Sequence, residues 1–255
     1  MRASILVLTI GGKLVMLSGP AAAQLECFGE RATIVGTKDV DVIQGTGRPD
    51  VIVTLGGRDI VHARGGDDLV CGGPGGGTLF GNRGDDRVRG GSGKDQVLGG
   101  AGTDVLRGRG GQDRLEGEAG NDVLVGGLER DWMLGGTHDD VMFGGQGNDQ
   151  MFGDWTPKVI GSDEMHGGTG DDRMWGESRY SHRPGGHDVI RGDEGYDRLH
   201  GRGGQDSLSG GEGDDVLDGG ANPKASPDSG NGGPNDSDAP GDRCVKLEKV
   251  ANCET

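Results

Sequence analysis

Aromatic residues are scarce: three Trp, two Tyr and four Phe in 255 residues, 4% of the chain. Hydrophobic residues of all kinds reach only 31%, too little for a conventional core of packed helices and sheets to be expected. Positive charge is also short. Lys and Arg number 26 against 42 Asp and Glu, a formal net charge of −16, which argues against nucleic acid as a partner. There are four cysteines, with no close pair at ligand spacing and no suitably placed His, so a zinc site is not expected. Such low hydrophobicity and high charge would by themselves read as disorder. The 58 glycines would suggest collagen, but they recur with a period of nine and not three.

That period is the informative feature. From Cys27 to Asp218 the chain follows Gly-Gly-x-Gly-x-Asp-x-apolar-x, as in Gly99-Gly100-Ala101-Gly102-Thr103-Asp104-Val105-Leu106-Arg107. Twenty copies can be laid down, with the eighth position always apolar, from Ile34 and Ile43 through Leu106 and Met142 to Leu217. The sixth position is Asp in eighteen of them, Ala32 and Gly77 being the exceptions. Five extra residues follow Asp149, around Trp155-Thr156-Pro157, and seven extra follow Asp172, around Ser178 to Pro184.

Glycine at every turn opposes a helix. The x-apolar-x triplet reads as a short strand with its central side chain pointing one way and its neighbours the other, and the six glycine-rich residues read as the turn. Two units close a coil of eighteen residues, and coils stack as parallel strands ~4.8 Å apart. Like turns then stack, so Asp86, Asp104 and Asp122 line one edge while Asp95 and Asp113 line the other. Carboxylates about 5 Å apart repel by roughly 0.8 kcal/mol per pair in water, and by more where water is excluded. A thin apolar column does not offset a long stack of such contacts, so the pattern calls for a bridging cation. Calcium suits it, because it takes six to eight oxygens, backbone carbonyls included, at flexible geometry. Magnesium demands a tighter octahedron. Folding and metal binding are then expected to be a single event.

These residues resemble the hemolysin-type (RTX) calcium-binding nonapeptide-repeat family over roughly Gly36 to Asp218. The resemblance implies an all-β fold, a right-handed parallel β-roll of about ten two-repeat coils holding multiple Ca2+ ions. Within the family, the opening Ala32-Thr33-Ile34-Val35-Gly36-Thr37 and the paired cysteines are similar to small exported members made only of repeats. The expected metal-binding residues are Asp59, Asp68, Asp86, Asp95, Asp104, Asp113, Asp122, Asp140, Asp149, Asp172, Asp188, Asp197, Asp206 and Asp215. Some turns depart from the pattern. Glu129 and His138 replace the fourth glycine before Asp131 and Asp140, Arg48-Pro49 precede Asp50, and Gly77 removes a carboxylate between Asp59 and Asp95.

The flanking segments suggest an exported chain. Residues 1–23 read as a signal peptide, with Arg2, interrupted apolar runs too short to span a bilayer and a small-residue site at Ala21-Ala22-Ala23. A cap over 24–35, repeats over 36–218 with insertions near 155–160 and 178–184, a linker over 219–240 and a terminal segment over 241–255 complete the expected organisation. An even cysteine count in an exported chain favours disulfides. Three pairings are open; nearness in sequence favours Cys244 with Cys253, leaving Cys27 with Cys71.

Met133, Met142, Met151, Met165 and Met174 fill five consecutive inward positions, as adaptable core residues do. On the outward positions beside them, Trp132, Leu134, Phe152 and Trp175 should share one wall. Either the insertions fold over this patch or it is a surface for a partner. The expected function is that of a secreted, non-enzymatic calcium-binding repeat protein with a structural or adhesive role. Its partners would be calcium and a cell-surface glycan or protein, with no membrane span after signal cleavage. The alternatives are a polysaccharide-modifying enzyme on a parallel β-helix, which needs catalytic residues gathered on one wall, and an ice-binding solenoid, which needs a flat wall of Thr or Asn. Arg87, Arg114, Arg173 and Arg198 are read as dispersed, and the outward rows are mixed.

Overall fold

Each repeat forms a strand that bends at its first glycine and then turns. The computed structural model describes residues 25–154, 160–177 and 185–220 in full, with the backbone of strands Leu8–Ile10, Lys13–Val15, Ser229–Asn231, Arg243–Val245 and Lys249–Ala251. Strand Gln96–Ala101 pairs in parallel with Thr78–Arg83 on one side and Arg114–Ala119 on the other. The next strand in sequence, Val105–Gly110, pairs with Arg87–Gly91 and Val123–Leu128 in the opposite sheet. Alternate strands therefore build two facing parallel sheets, of eleven and twelve strands. The chain is a β-solenoid of about ten coils, with no helix among the described residues.

The register fits two units per coil. Stacked aspartates lie 18 residues apart, as from Asp86 to Asp104. The separation widens to 23 from Asp140 to Asp163 and to 25 from Asp163 to Asp188, where the two insertions fall. Strand length differs from the three residues expected. Eleven strands have six, running on into the glycine-rich segment. The ladder skips only the first glycine: Leu98 pairs with Glu116 and Gly100 with Glu118, while Gly99 is passed over. Continuing the ladder pairs backbone groups that a six-residue turn would leave without partners between stacked coils.

One residue per unit points inward. All twenty eighth-position side chains, from Ile34 to Leu217, join a single core column and are at most 5% exposed. The five methionines are fully buried within it. Completely burying such a side chain contributes roughly 1.5–3 kcal/mol, so the column favours the roll wherever the turns allow it.

At the first coils, Glu26–Cys27 and Glu30–Arg31 form a hairpin closed by Phe28 and Gly29, both with positive φ. Two-residue hairpin turns of this kind require φ > 0 at both central residues. The Cys27–Cys71 disulfide ties the hairpin to the outer face of the twelve-stranded sheet, where Cys27 and Cys71 cluster with Val53. The other expected pair, Cys244 and Cys253, lies outside the residues whose side chains are described. Beyond Asp218, strand Ser229–Asn231 pairs with Ser207–Ser209, and Arg243–Val245 pairs with Val216–Asp218.

Candidate metal centre

The sixth-position aspartates form two columns along the edges of the solenoid. They are almost fully shielded from solvent; Asp68, Asp86, Asp104, Asp149 and Asp172 are 0% exposed. One oxygen of each carboxylate has a fixed partner. The N–H of Asp86 donates to Oδ1 of Asp104 at 2.8 Å, that of Asp104 to Oδ1 of Asp122 at 2.7 Å, and that of Asp122 to Oδ1 of Asp140 at 2.8 Å. On the other edge, Asp95, Asp113, Asp131 and Asp149 repeat the contact.

The second oxygen is different. Oδ2 of Asp59, Asp68, Asp86, Asp95, Asp104, Asp113, Asp122, Asp140, Asp149, Asp172, Asp188 and Asp197 is buried with no hydrogen-bond donor. Native structures leave few buried polar atoms in that state, so a repeated orphan needs a physical cause. A carbonyl oxygen of the next coil lies near it. A Cβ placed on Gly99 would lie 2.4 Å from Oδ2 of Asp104 and 2.9 Å from the carbonyl oxygen of Gly117 in the next coil. A Cβ on Gly117 would meet Oδ2 of Asp122 and the carbonyl of Gly135, each at 2.4 Å. The first glycine thus leaves room for a cradle lined by a carboxylate oxygen and a carbonyl oxygen from adjacent coils, as at Gly99, Gly108, Gly117, Gly126 and Gly144. Among the described residues no three acidic, His or Cys side chains converge on one point, so a cation there must draw on main-chain carbonyls. A hard cation of flexible coordination suits such a donor set.

The electrostatics agree. Burial is the main reason that the carboxyls of Asp68, Asp86, Asp95, Asp113, Asp122 and Asp197 are pushed up to about 7. Asp131, Asp163 and Asp172 reach about 8, and Asp140 about 9. The N–H donated to Oδ1 pulls in the opposite direction, and neighbouring carboxylates in the stack add to the rise, as Asp104 and Asp68 do on Asp86. A positive charge between coils would reverse both penalties.

Residues 35–70, 44–79, 71–106, 98–133, 125–155, 160–178 and 185–217 match the RTX calcium-binding nonapeptide repeat (4 copies). The chain belongs to this family of calcium-binding repeats. No curated protein matches the chain.

Within this RTX roll the turns fall into two kinds. At the beginning, Thr37 donates its N–H to Oδ2 of Asp41 at 2.5 Å, and Thr46 donates its N–H and hydroxyl to Oδ2 of Asp50 at 2.7 and 2.9 Å. These first carboxylates are capped by their own turns and leave no orphan for a cation. From Asp68 to Asp197 no threonine caps the carboxylate and Oδ2 is bare. Gly77 donates its N–H to Oδ1 of Asp95, so the backbone ladder survives the missing carboxylate.

The irregular turns at Glu129 and His138 keep the same geometry. Both residues take the left-handed backbone (φ 73° and 80°) that glycine would supply, and Asp131 and Asp140 remain 1% exposed with bare Oδ2 atoms. Asp131 and Asp163, left out of the expected metal set, match its members in burial and contacts. Asp206 and Asp215 accept N–H bonds from Asp188 and Asp197 through Oδ1. Sequence reading also missed Asp154 and Glu177, which are buried at 1% and 2% exposure. Their signal was an acidic residue in the second glycine position, directly before each insertion.

Trp132, Leu134, Phe152 and Trp175 share one wall, all in the eleven-stranded sheet. They are half-buried. Trp175 stacks on Phe152 at 4.7 Å and on His200 at 5.6 Å, while Arg114 sits 3.8 Å from the ring centre of Trp132. Phe152, Trp175 and His200 thus stack face to face, while Trp132 is tilted by 42° from Phe152 at 5.8 Å. The insertion residues 155–159 and 178–184 lie outside the described residues. The arginines are less dispersed than the sequence suggests: Arg173 and Arg198 are register neighbours.

Proposed function

We propose that this chain is an exported, non-enzymatic rod whose roll closes around several calcium ions held between stacked turns. The observation that carries this reading is the repeated buried Oδ2 without a donor, facing a glycine carbonyl of the next coil. Asp59, Asp68, Asp86, Asp95, Asp104, Asp113, Asp122, Asp140, Asp149, Asp172, Asp188, Asp197, Asp206 and Asp215 are its proposed ligands, joined by Asp131 and Asp163. Calcium bound there supplies positive charge against both columns. The chain supplies the oxygens and, through the Oδ1 contacts, fixes the carboxylate orientation.

The proposed role is structural or adhesive, in an extracellular setting. The Cys27–Cys71 disulfide supports an oxidising compartment, and no described helix is long and apolar enough to cross a membrane. The wall carrying Trp132, Leu134, Phe152 and Trp175 is the proposed contact surface. Three of its rings stack on one another, which leaves fewer open faces for a sugar and favours a protein partner. Equilibrium dialysis of the folded chain tests the core of this reading. Several tightly retained calcium ions per chain are expected, and none would overturn it. Capture of cell-surface protein or glycan in calcium, abolished by Trp132→Ala with Trp175→Ala, tests the adhesive part.

A further inference from the structure

Positive charge is short in this chain, yet four arginines gather on the outer face of the twelve-stranded sheet, beside the first hairpin. Strands Arg87–Gly91 and Val105–Gly110 are parallel neighbours, with Arg89 opposite Arg107 and Gly91 opposite Arg109. Arg87, Arg89, Arg107 and Arg109 thus occupy two adjacent strands. Burial and the nearby charges of Arg109 and Arg107 push the Arg89 guanidinium below its usual value. Like charges this close repel one another. No carboxylate balances them, since none of the four forms an ion pair among the described residues. Elsewhere arginines do find partners: Arg114 meets Glu116 at 2.5 Å and Arg191 meets Glu164 at 2.7 Å.

The hairpin helps to orient this cluster. Phe28, in the left-handed region at the hairpin turn (φ 53°), presents its ring to two of the guanidiniums. Cζ of Arg87 lies 4.8 Å from the ring centre and Cζ of Arg89 5.2 Å from it. Nη2 of Arg89 also donates to Sγ of Cys71 at 2.9 Å. A ring face and a sulfur position a guanidinium without neutralising it, and side chains ordered in advance lower the cost of binding. Beside the cluster, an open cleft is lined by Arg89 and Arg109 together with the apolar side chains of Val53, Leu55, Pro74 and Leu128. Leu128 is 52% exposed. The one acidic residue lining the cleft, Glu26, makes no ion pair with the arginines.

We propose that the arginine cluster and its cleft bind an acidic segment of a partner protein, one that carries Glu or Asp beside apolar side chains. Guanidiniums offer paired N–H donors that match a carboxylate, and the cleft walls cover the apolar neighbours. A uniformly charged polyanion would leave Leu55, Pro74 and Leu128 uncovered, so an acidic and apolar peptide fits this surface better. The site lies in the twelve-stranded sheet, on the opposite wall from Trp132 and Trp175 in the eleven-stranded one. It is therefore a second contact surface, and it goes beyond the calcium reading of the turns.

Isothermal titration of the full chain in saturating calcium tests the site with three probes: a synthetic peptide of repeated Glu-Glu-Leu, the same peptide with Gln for Glu, and dextran sulfate. The Glu peptide should bind, and the Gln peptide should bind about tenfold more weakly or worse. Arg107→Gln with Arg109→Gln should weaken the Glu peptide by a similar factor. Arg173→Gln with Arg198→Gln removes the same charge from the opposite wall and should leave it unchanged. Absence of Glu-peptide binding would overturn the proposal, and so would equal losses in the two variants, which would show only general attraction. Dextran sulfate bound more tightly than the peptide, and released by the Arg107 and Arg109 changes, would assign the cluster to an acidic polysaccharide and overturn it as well. Circular dichroism and calcium dialysis of the same variants should match the native chain, which separates this site from the calcium reading. Should the double variant fail to fold, Arg107→Lys keeps the charge and loses the planar fork; unchanged peptide affinity there would also sink the proposal.

Discussion

The N–H of Asp86 donates to Oδ1 of Asp104, one coil further on, at 2.8 Å, while Oδ2 of Asp104 faces Gly99 and the carbonyl of Gly117 with no donor. One carboxylate thus does two jobs. Its first oxygen sets the stacking of coils, and its second is the oxygen proposed to meet a cation.

Separating those jobs gives the first test. Asp104→Asn keeps an oxygen for the Asp86 N–H and removes the charge. Calcium-dependent stability should fall by about 1–3 kcal/mol, the usual cost of spoiling a buried polar contact. Asp41→Asn should leave the calcium requirement unchanged, because Thr37 already satisfies that carboxylate. Calcium titrations of thermal unfolding compare the two. Equal shifts would show that the capped and bare turns are not distinct.

Glycine substitutions probe the cradle. In Gly99→Ala the new methyl would lie 2.4 Å from Oδ2 of Asp104, and forcing such a contact typically costs about 1–3 kcal/mol. Gly47→Ala meets nothing within 4 Å and should be neutral or slightly stabilising. Urea unfolding in saturating calcium measures both. A tolerated Gly99→Ala would mean that the space beside the carboxylate is not needed.

Much of this was legible from the sequence because its signals are local and repeated. The inward row from Ile34 to Leu217, the two aspartate edges and the alternation of sheets all follow from period nine, and each is present. Strand length was misread because glycine looks like a turn residue, whereas Gly100 and Ala101 stay in the ladder through pairing with the next coil. The tolerance of Glu129 and His138 was hidden as well, since whether a side chain bears a left-handed backbone depends on the stacked coils holding it there.

Protonation offers a second way to relieve the stacks. The carboxyls of Asp104 and Asp149 are raised to about 6, and those of Asp131, Asp163 and Asp172 to about 8. A carboxyl raised on folding binds its proton more tightly in the folded chain. Its stabilising contribution is therefore complete below the ordinary carboxylate value near 4 and is lost as pH rises through about 6 to 8. Calcium-free chain should gain β structure when acidified from about pH 8 to about pH 4.5, and calcium should remove most of that dependence. Circular dichroism at both pH values checks the sign; a calcium-free chain that loses structure on acidification would contradict it.

The Cys27–Cys71 bridge spans 44 residues. On the chain-entropy account, closing such a loop stabilises by about 4 kcal/mol. Cys27→Ser with Cys71→Ser should unfold at lower denaturant but keep its calcium dependence, since neither sulfur lies at an aspartate column. Urea titration in calcium measures the loss, and a variant that no longer responds to calcium would place the bridge inside the metal-coupled unit.

The stacked turns are expected to stay apart until cations join them, and far-ultraviolet circular dichroism during a calcium titration from chelator at neutral pH tests this most directly. A largely unfolded spectrum should become β-rich by about millimolar calcium. A β-rich spectrum already complete in chelator, and unchanged by calcium, would contradict it.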